Sequence, residues 1–283
     1  MLDPEDPRSL YLELLKSTLR NQFYPRELLE APAGDELARA AAAVDLAREK
    51  FAHLVAVPEM QAALNPTPYQ MAMFLRANVP MAYTLVSMEN LSVLQQCLET
   101  VLADKVPGDL IECGVWRGGL CVFMRGVLKA YGDKQRKVWV ADSFQGLPEP
   151  DAAAHPLDAI YHEYFRQVNN FSVSRERVEH AFQSFGLLDD QVAFVPGWFH
   201  ESLLPAPIEK LALIRLDGDY YESTAPCLQA LYPKLSPGGF VFIDDYHAPN
   251  LGVRQAVDEF RAAHSISAPL VQIDAQSVYW REI

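Results

Sequence analysis

The sequence predicts an α/β protein. Its expected core is a mostly parallel seven-stranded sheet covered by helices on both faces, with an antiparallel edge hairpin and an N-terminal helical segment. Three observations carry this. Short apolar runs, several rich in valine and isoleucine, alternate with helical stretches from residue 109 onward, the pattern of strands buried on both faces. A glycine-bearing turn joins the first run to its helix. Two late apolar runs, 270–273 and 278–280, flank Asp274-Ala275-Gln276-Ser277 and read as an antiparallel pair.

The elements follow in order. Leu10, Leu12, Leu14, Leu15 and Leu19 form a helical apolar stripe that ends near Pro25. Residues 35–57 are rich in alanine and leucine, lack internal proline and glycine, and stop at Pro58, so they predict one helix. Asn65-Pro66-Thr67-Pro68 is a turn signal. A further helix is expected over 88–103. Strands are expected at 109–113, 138–142, 192–195, 211–217 and 240–244, with helices at 119–131, 173–185, 221–235 and 253–264. The division is a helical segment over 1–87, serving as lid or oligomerisation element, and a ligand-binding domain over 88–283. Right-handed crossovers place the functional loops at the carboxyl ends of the strands.

Composition narrows the function. The 283 residues are 50% hydrophobic and 22% charged, which suits a chain with a sizeable core. The formal net charge of -13 argues against nucleic acid as a partner. Cys97, Cys113, Cys121 and Cys227 form no C-x-x-C pair, which argues against a zinc ribbon and for a reducing compartment. The acidic start Met1-Leu2-Asp3-Pro4-Glu5-Asp6 has no secretory pattern, and no apolar run reaches the roughly 18–20 residues of a spanning helix. A cytoplasmic protein without a membrane partner is expected.

In Glu112-Cys113-Gly114-Val115-Trp116-Arg117-Gly118-Gly119 a strand turns into a helix through glycine, which lets a ligand approach the backbone. The spacing differs from G-x-G-x-x-G, so a nicotinamide oxidoreductase is disfavoured. Asp142 ends the second strand, where a carboxylate can accept bonds from ribose hydroxyls. The alternative is ordinary βα-turn glycines and a loop-capping Asp142.

The fourth and fifth strands end in Asp217-Gly218-Asp219 and Asp244-Asp245. If the strands are neighbours, Asp217, Asp244 and Asp245 meet, and clustered carboxylates call for protons or a cation. An all-oxygen set suits Mg²⁺. Asp219 reads either as a helix N-cap, with Glu222 three residues on completing a capping box, or as part of a metal-binding Asp-x-Asp. His247 is a candidate base or ligand-orienting group.

Taken together, these motifs resemble the macrocin O-methyltransferase (TylF-like) family. The resemblance runs from Tyr11-Leu12-Glu13-Leu14-Leu15-Lys16 through Tyr83-Thr84, the glycine turn and Ala141-Asp142-Ser143-Phe144-Gln145-Gly146-Leu147-Pro148. It continues through Gly197-Trp198-Phe199, Leu216-Asp217-Gly218-Asp219-Tyr220-Tyr221-Glu222, Asp244-Asp245-Tyr246 and Val278-Tyr279-Trp280-Arg281. It implies a Rossmann-like class I methyltransferase fold, S-adenosylmethionine and Mg²⁺ as cofactors, and a sugar hydroxyl on a natural product as acceptor. Cofactor contacts are implied for Thr84, Glu112, Gly114, Gly118, Asp142, Ser143, Gly197, Trp198 and Asp217. The metal falls to Asp217, Asp244 and Asp245, and catalysis to Asp217 and His247. His247 and Ala275-Gln276-Ser277 depart from the family pattern, so the acceptor can differ from a macrolide sugar. Residues 60–88 and 146–172, carrying Tyr69, Phe74, Tyr83, His155, Tyr161, Tyr164 and Phe165, are expected to form a lid. A homodimer or tetramer is expected. The rival readings are a metal-dependent nucleotide-sugar glycosyltransferase and a non-catalytic partner subunit with the same fold.

Overall fold

A computed structural model describes residues 6–22, 42, 44–54, 57, 60–61, 64–65, 82–167, 171–248 and 252–282. Strands β1 (Asp109–Cys113), β2 (Val138–Asp142), β3 (Val192–Pro196), β4 (Leu211–Leu216), β5 (Leu235–Ile243), β6 (Val271–Gln272) and β7 (Val278–Arg281) form one sheet in the order β3-β2-β1-β4-β5-β7-β6. The first five are parallel, and β7 runs antiparallel to both β5 and β6. The expected architecture is therefore present, edge hairpin included.

Side chains alternate across the sheet. Leu110, Val138, Val140, Leu213, Phe240 and Phe242 face helices α1 (Pro7–Leu19), α2 (Met88–Ala103), α3 (Gly119–Ala130) and, further along the chain, α5 (Arg175–Ser184). Ile111, Trp139, Ile214, Leu216, Val241 and Ile243 face the opposite way, towards α7 (Tyr221–Leu231) and α8 (Gly252–Ala263). Helix α4 (Pro156–Gln167) lies between β2 and β3, within the stretch expected to form a lid, and α6 (Phe199–Ser202) is a single short turn.

Helix α1 starts cleanly: Pro7 occupies its first turn, and the Asp6 side chain accepts from the Arg8 amide. Leu12, Leu15 and Leu19 are buried against α3, each contributing about 1.5–3 kcal/mol. Gly126 makes this approach possible, because a Cβ there would sit 2.5 Å from Leu15 Cδ2.

Residues 1–87 do not form a separate core among the described residues. Helix α1 joins the main core, whereas Val44, Ala47, Phe51 and Leu64 pack with Leu157, Ile160 and Tyr164 of α4. Of the helix expected over 35–57, residues 44–50 are helical and Ala52–Leu54 is a 3₁₀ turn. Tyr69 and Phe74 lie outside the described residues. Helix α4 is an addition to the sequence reading: Tyr161 and Tyr164 are buried in this smaller core and line neither of the two cavities of the candidate site. All four cysteines are buried free thiols. Among the described residues, no helix is long and apolar enough to cross a membrane.

Asp158 joins α4 to the sheet's functional edge. Its carboxyl is fully buried, accepts from the Tyr221 amide at the start of α7 (2.9 Å), and lies against Gly252 at the start of α8. Burial pushes it up to about 7; the amides of Tyr221 and Gly252 oppose this, and the Glu222 charge adds to it. In the unfolded chain an aspartate releases its proton near pH ~3.9. The folded state therefore holds the extra proton, and its stability falls as the pH rises from about 4 to 7. Asp158→Asn carries no such loss. Its melting temperature relative to wild type should climb across that window and then level off; parallel melting curves from pH 4.5 to 8 would remove Asp158 from this role.

Candidate functional site

The register explains the site. Glu112 pairs with Arg215, and Arg215 with Phe242, across β1, β4 and β5. With a period of two, Glu112, Arg215, Asp217 and Asp244 all point to the α3 side of the sheet, at its carboxyl end. Backbone bonds continue the ladder past the strand ends: Asp217 N donates to Cys113 O (2.8 Å) and Asp244 N to Leu216 O (2.9 Å). One oxygen from each of Asp217, Asp244 and Asp245 lies within 4.8 Å of the others. The expected triad is assembled.

The glycine turn crosses directly above β4. Gly114 has φ 86°, its amide donates to Ala141 O (2.9 Å), and a Cβ there would lie 1.8 Å from the Asp217 carbonyl oxygen. Asp142 fastens this turn to the next loop: Oδ2 accepts from Val115 N (2.8 Å) and Oδ1 from Phe144 N (2.7 Å). Ser143 shapes that loop, donating to Gly146 O and accepting from Gln145 N. Gly197 N donates to Asp142 O, which brings the β3 end alongside.

Two adjoining cavities open here. The larger, about 520 Å³, is lined by Asp142, Ser143, Gly197 and Trp198, and by His155 stacked on Tyr221 with ring centroids 4.0 Å apart. The smaller, about 170 Å³, is lined by Thr84, Glu112, Trp116, Gln276 and the aspartates 217, 219, 244 and 245. Gly114, Gly146, Leu147 and Asp217 line both. Of the residues with expected cofactor contacts, only Gly118 lines neither. Its φ of 80° and position before α3 make it a backbone pivot, and a Cβ there would meet Val178 at 2.7 Å. His247 also lies outside both: it is exposed, its amide donates to Gln276 O, and its ring meets Tyr246 edge-on.

The cap reading of Asp219 is corrected. The residue before α7 is Tyr220, which makes no side-chain cap, and Glu222 accepts instead from Asp151 N (3.0 Å). Asp219 has φ 61°, which takes it out of a cap's extended conformation and into the smaller cavity, where its carboxyl hydrogen-bonds Asp245.

Three residues to which the sequence reading gave no site role, Arg215, Ser277 and Asn90, complete the site. Arg215 is 1% exposed; its Nη1 donates to Glu112 (2.6 Å) and Asp217 (2.8 Å), and its Nη2 to Asp244. Ser277 Oγ donates to Asp244 (2.8 Å) and accepts from Asn90 of α2 (3.0 Å). The available signal for Arg215 was a charge inside an apolar strand, two residues before a candidate ligand acid. Burial raises the carboxyls of Glu112, Asp217, Asp219, Asp244 (to about 6) and Asp245. Mutual repulsion adds to the rise, and Arg215 opposes it at Glu112, Asp217, Asp244 and Asp245.

The family described as Macrocin-O-methyltransferase (TylF) matches residues 8–282. The chain is 43% identical over 282 residues to the mycinamicin III 3''-O-methyltransferase of Micromonospora griseorubida, covering 99% of each. It is 44% identical over 280 residues to the 8-demethyl-8-(2,3-dimethoxy-alpha-L-rhamnosyl)-tetracenomycin-C 4'-O-methyltransferase of Streptomyces olivaceus, covering 98% of this chain and 94% of that one. The solved structure of the O-methyltransferase NovP superposes with a TM-score of 0.75 at 38% identity, covering 97% of this chain and 99% of that one.

Proposed function

This chain belongs to the macrocin-O-methyltransferase (TylF) family, and from that premise we propose that it moves the methyl group of S-adenosylmethionine onto a sugar hydroxyl of an antibiotic-type natural product, beside Mg²⁺ held by Asp217, Asp244 and Asp245. As a member of that family it is an O-methyltransferase; the donor, the cation and the acceptor are the proposal. One observation carries it: the glycine turn with Asp142 and the aspartate triad open onto adjoining cavities that meet at Gly114 and Asp217.

The three aspartates fit a hard divalent cation, because they offer only oxygen and their ligand atoms lie within 4.8 Å of one another. When bound, S-adenosylmethionine supplies a sulfonium methyl, and the cation acidifies a neighbouring hydroxyl. The chain supplies position. Asp142 would accept from the ribose hydroxyls, Gly197 and Trp198 would hold the adenosine end, and Thr84 and Glu112 would take the amino-acid end. Gly114 leaves the backbone bare where the two cavities meet. Asp217, held at Oδ2 by Arg215, accepts the acceptor's proton at the junction, so nucleophile and donor converge on one carboxylate.

Calorimetry with S-adenosylhomocysteine should show one site per chain, and absence of binding at saturating ligand would overturn the donor half. EDTA should stop turnover and Mg²⁺ restore it. Turnover indifferent to chelation would overturn the metal half. Binding of a nucleotide sugar without S-adenosylhomocysteine would instead select the glycosyl-transfer reading.

A further inference from the structure

Arg215 is the charge at the centre of the site that neither cofactor contact nor metal ligation uses. Its guanidinium is buried to 1% exposure and reaches three carboxylates at once. Glu112 lies at the amino-acid end of the donor site, and Asp217 and Asp244 belong to the metal set. A guanidinium keeps its proton under all ordinary conditions, so its single charge is always shared among those three groups. Whatever draws on one of them redistributes the share of the others.

We propose that Arg215 is a positioning residue that couples the methyl-donor site to the metal carboxylates, so that a divalent cation and the donor's amino-acid end weaken each other's binding. This rests on the donor-and-cation reading above. A cation on Asp217 and Asp244 takes over the charge that Arg215 was balancing. The guanidinium is then left to Glu112, which becomes a poorer partner for an ammonium group. The reverse follows by linkage: an ammonium on Glu112 turns Arg215 towards the aspartates and opposes the cation by the same factor. An arginine that only braced β1, β4 and β5 would leave the two affinities independent.

The test is calorimetry on the full chain with S-adenosylhomocysteine, with and without saturating Mg²⁺. In wild type, Mg²⁺ should raise the Kd for S-adenosylhomocysteine by about threefold or more. It should leave the Kd for 5'-methylthioadenosine, which has no amino-acid end, unchanged. Arg215→Lys keeps the charge but offers a point donor in place of a fork that spans three carboxylates. Glu112→Gln removes the charge that Arg215 shares at the donor end. In either variant, with folding checked by its thermal melt, the factor should fall to about one. A wild-type factor of one overturns the coupling, as does a factor that survives in both folded variants. A wild-type chain that binds both ligands independently therefore refutes this inference alone. One that fails to bind S-adenosylhomocysteine or Mg²⁺ refutes the underlying reading, and the coupling with it.

Discussion

Asp217→Asn is expected to lower kcat by on the order of 10²–10⁴-fold while leaving the Kd for S-adenosylhomocysteine within about threefold of wild type. The asymmetry follows from what the substitution spares. Asparagine is nearly isosteric, its amide oxygen can still accept from Arg215, and the backbone bond from residue 217 to Cys113 O is untouched. What is lost is an anionic oxygen at the junction of the two cavities, which the proposed reaction uses both to hold a cation and to take a proton. Initial rates with an acceptor that wild type methylates, set beside calorimetry, check both halves. Turnover within a factor of ten of wild type would remove Asp217 as ligand and base.

Gly114→Ala should act at the same junction but on ligand affinity, and for a different reason. The residue sits at φ 86°, and the added methyl would overlap the Asp217 carbonyl oxygen at 1.8 Å. Relieving that contact lifts the turn off β4 and pulls Val115 N away from Asp142. The strain, about 1–3 kcal/mol or more, corresponds to a loss of S-adenosylhomocysteine affinity on the order of 10- to 100-fold. Gly132→Ala is the matched control. It shares a positive φ (71°) but nothing lies within 4 Å of its added Cβ, so it should cost only stability, by about 1–2 kcal/mol. Equal effects of the two on ligand affinity would mean that the crowding at Gly114 is irrelevant to the site.

Much of this was legible in the residues themselves. Parallel strands buried on both faces read as short apolar runs, and the acids that end them stand out because the unbroken apolar run stops at them. Asp142, Asp217 and the Asp244-Asp245 pair were visible on those grounds. Arg215 was not, since a charge within such a run looks like an interruption until the register sets it beside Glu112. Asp219 misled because Asp-x-x-Glu matches a capping box, whereas its left-handed backbone moves the helix start one residue on. His247 lies in a loop, where sequence carries no information on side-chain direction, and it turns outward. Helix α4 was hidden by its aromatic residues, which suit a cavity wall as well as the buried cluster they form with Val44, Phe51 and Leu64.

The alternation along the second half of β4, from Leu213 onward, has a consequence for how this protein can change over time. Leu213, Arg215 and Asp217 face one way and Ile214 and Leu216 the other. Deleting or inserting a single residue within the regular stretch 213–216 would carry Arg215 among the apolar side chains beneath α7 and α8, while swinging leucine and isoleucine into the acidic pocket. Substitutions here are graded, but a change of strand length inverts the entire face in one step. Variation in length is thus better tolerated beyond both the strands and the glycine turn and aspartates that directly follow them, as in the long connection between β2 and β3.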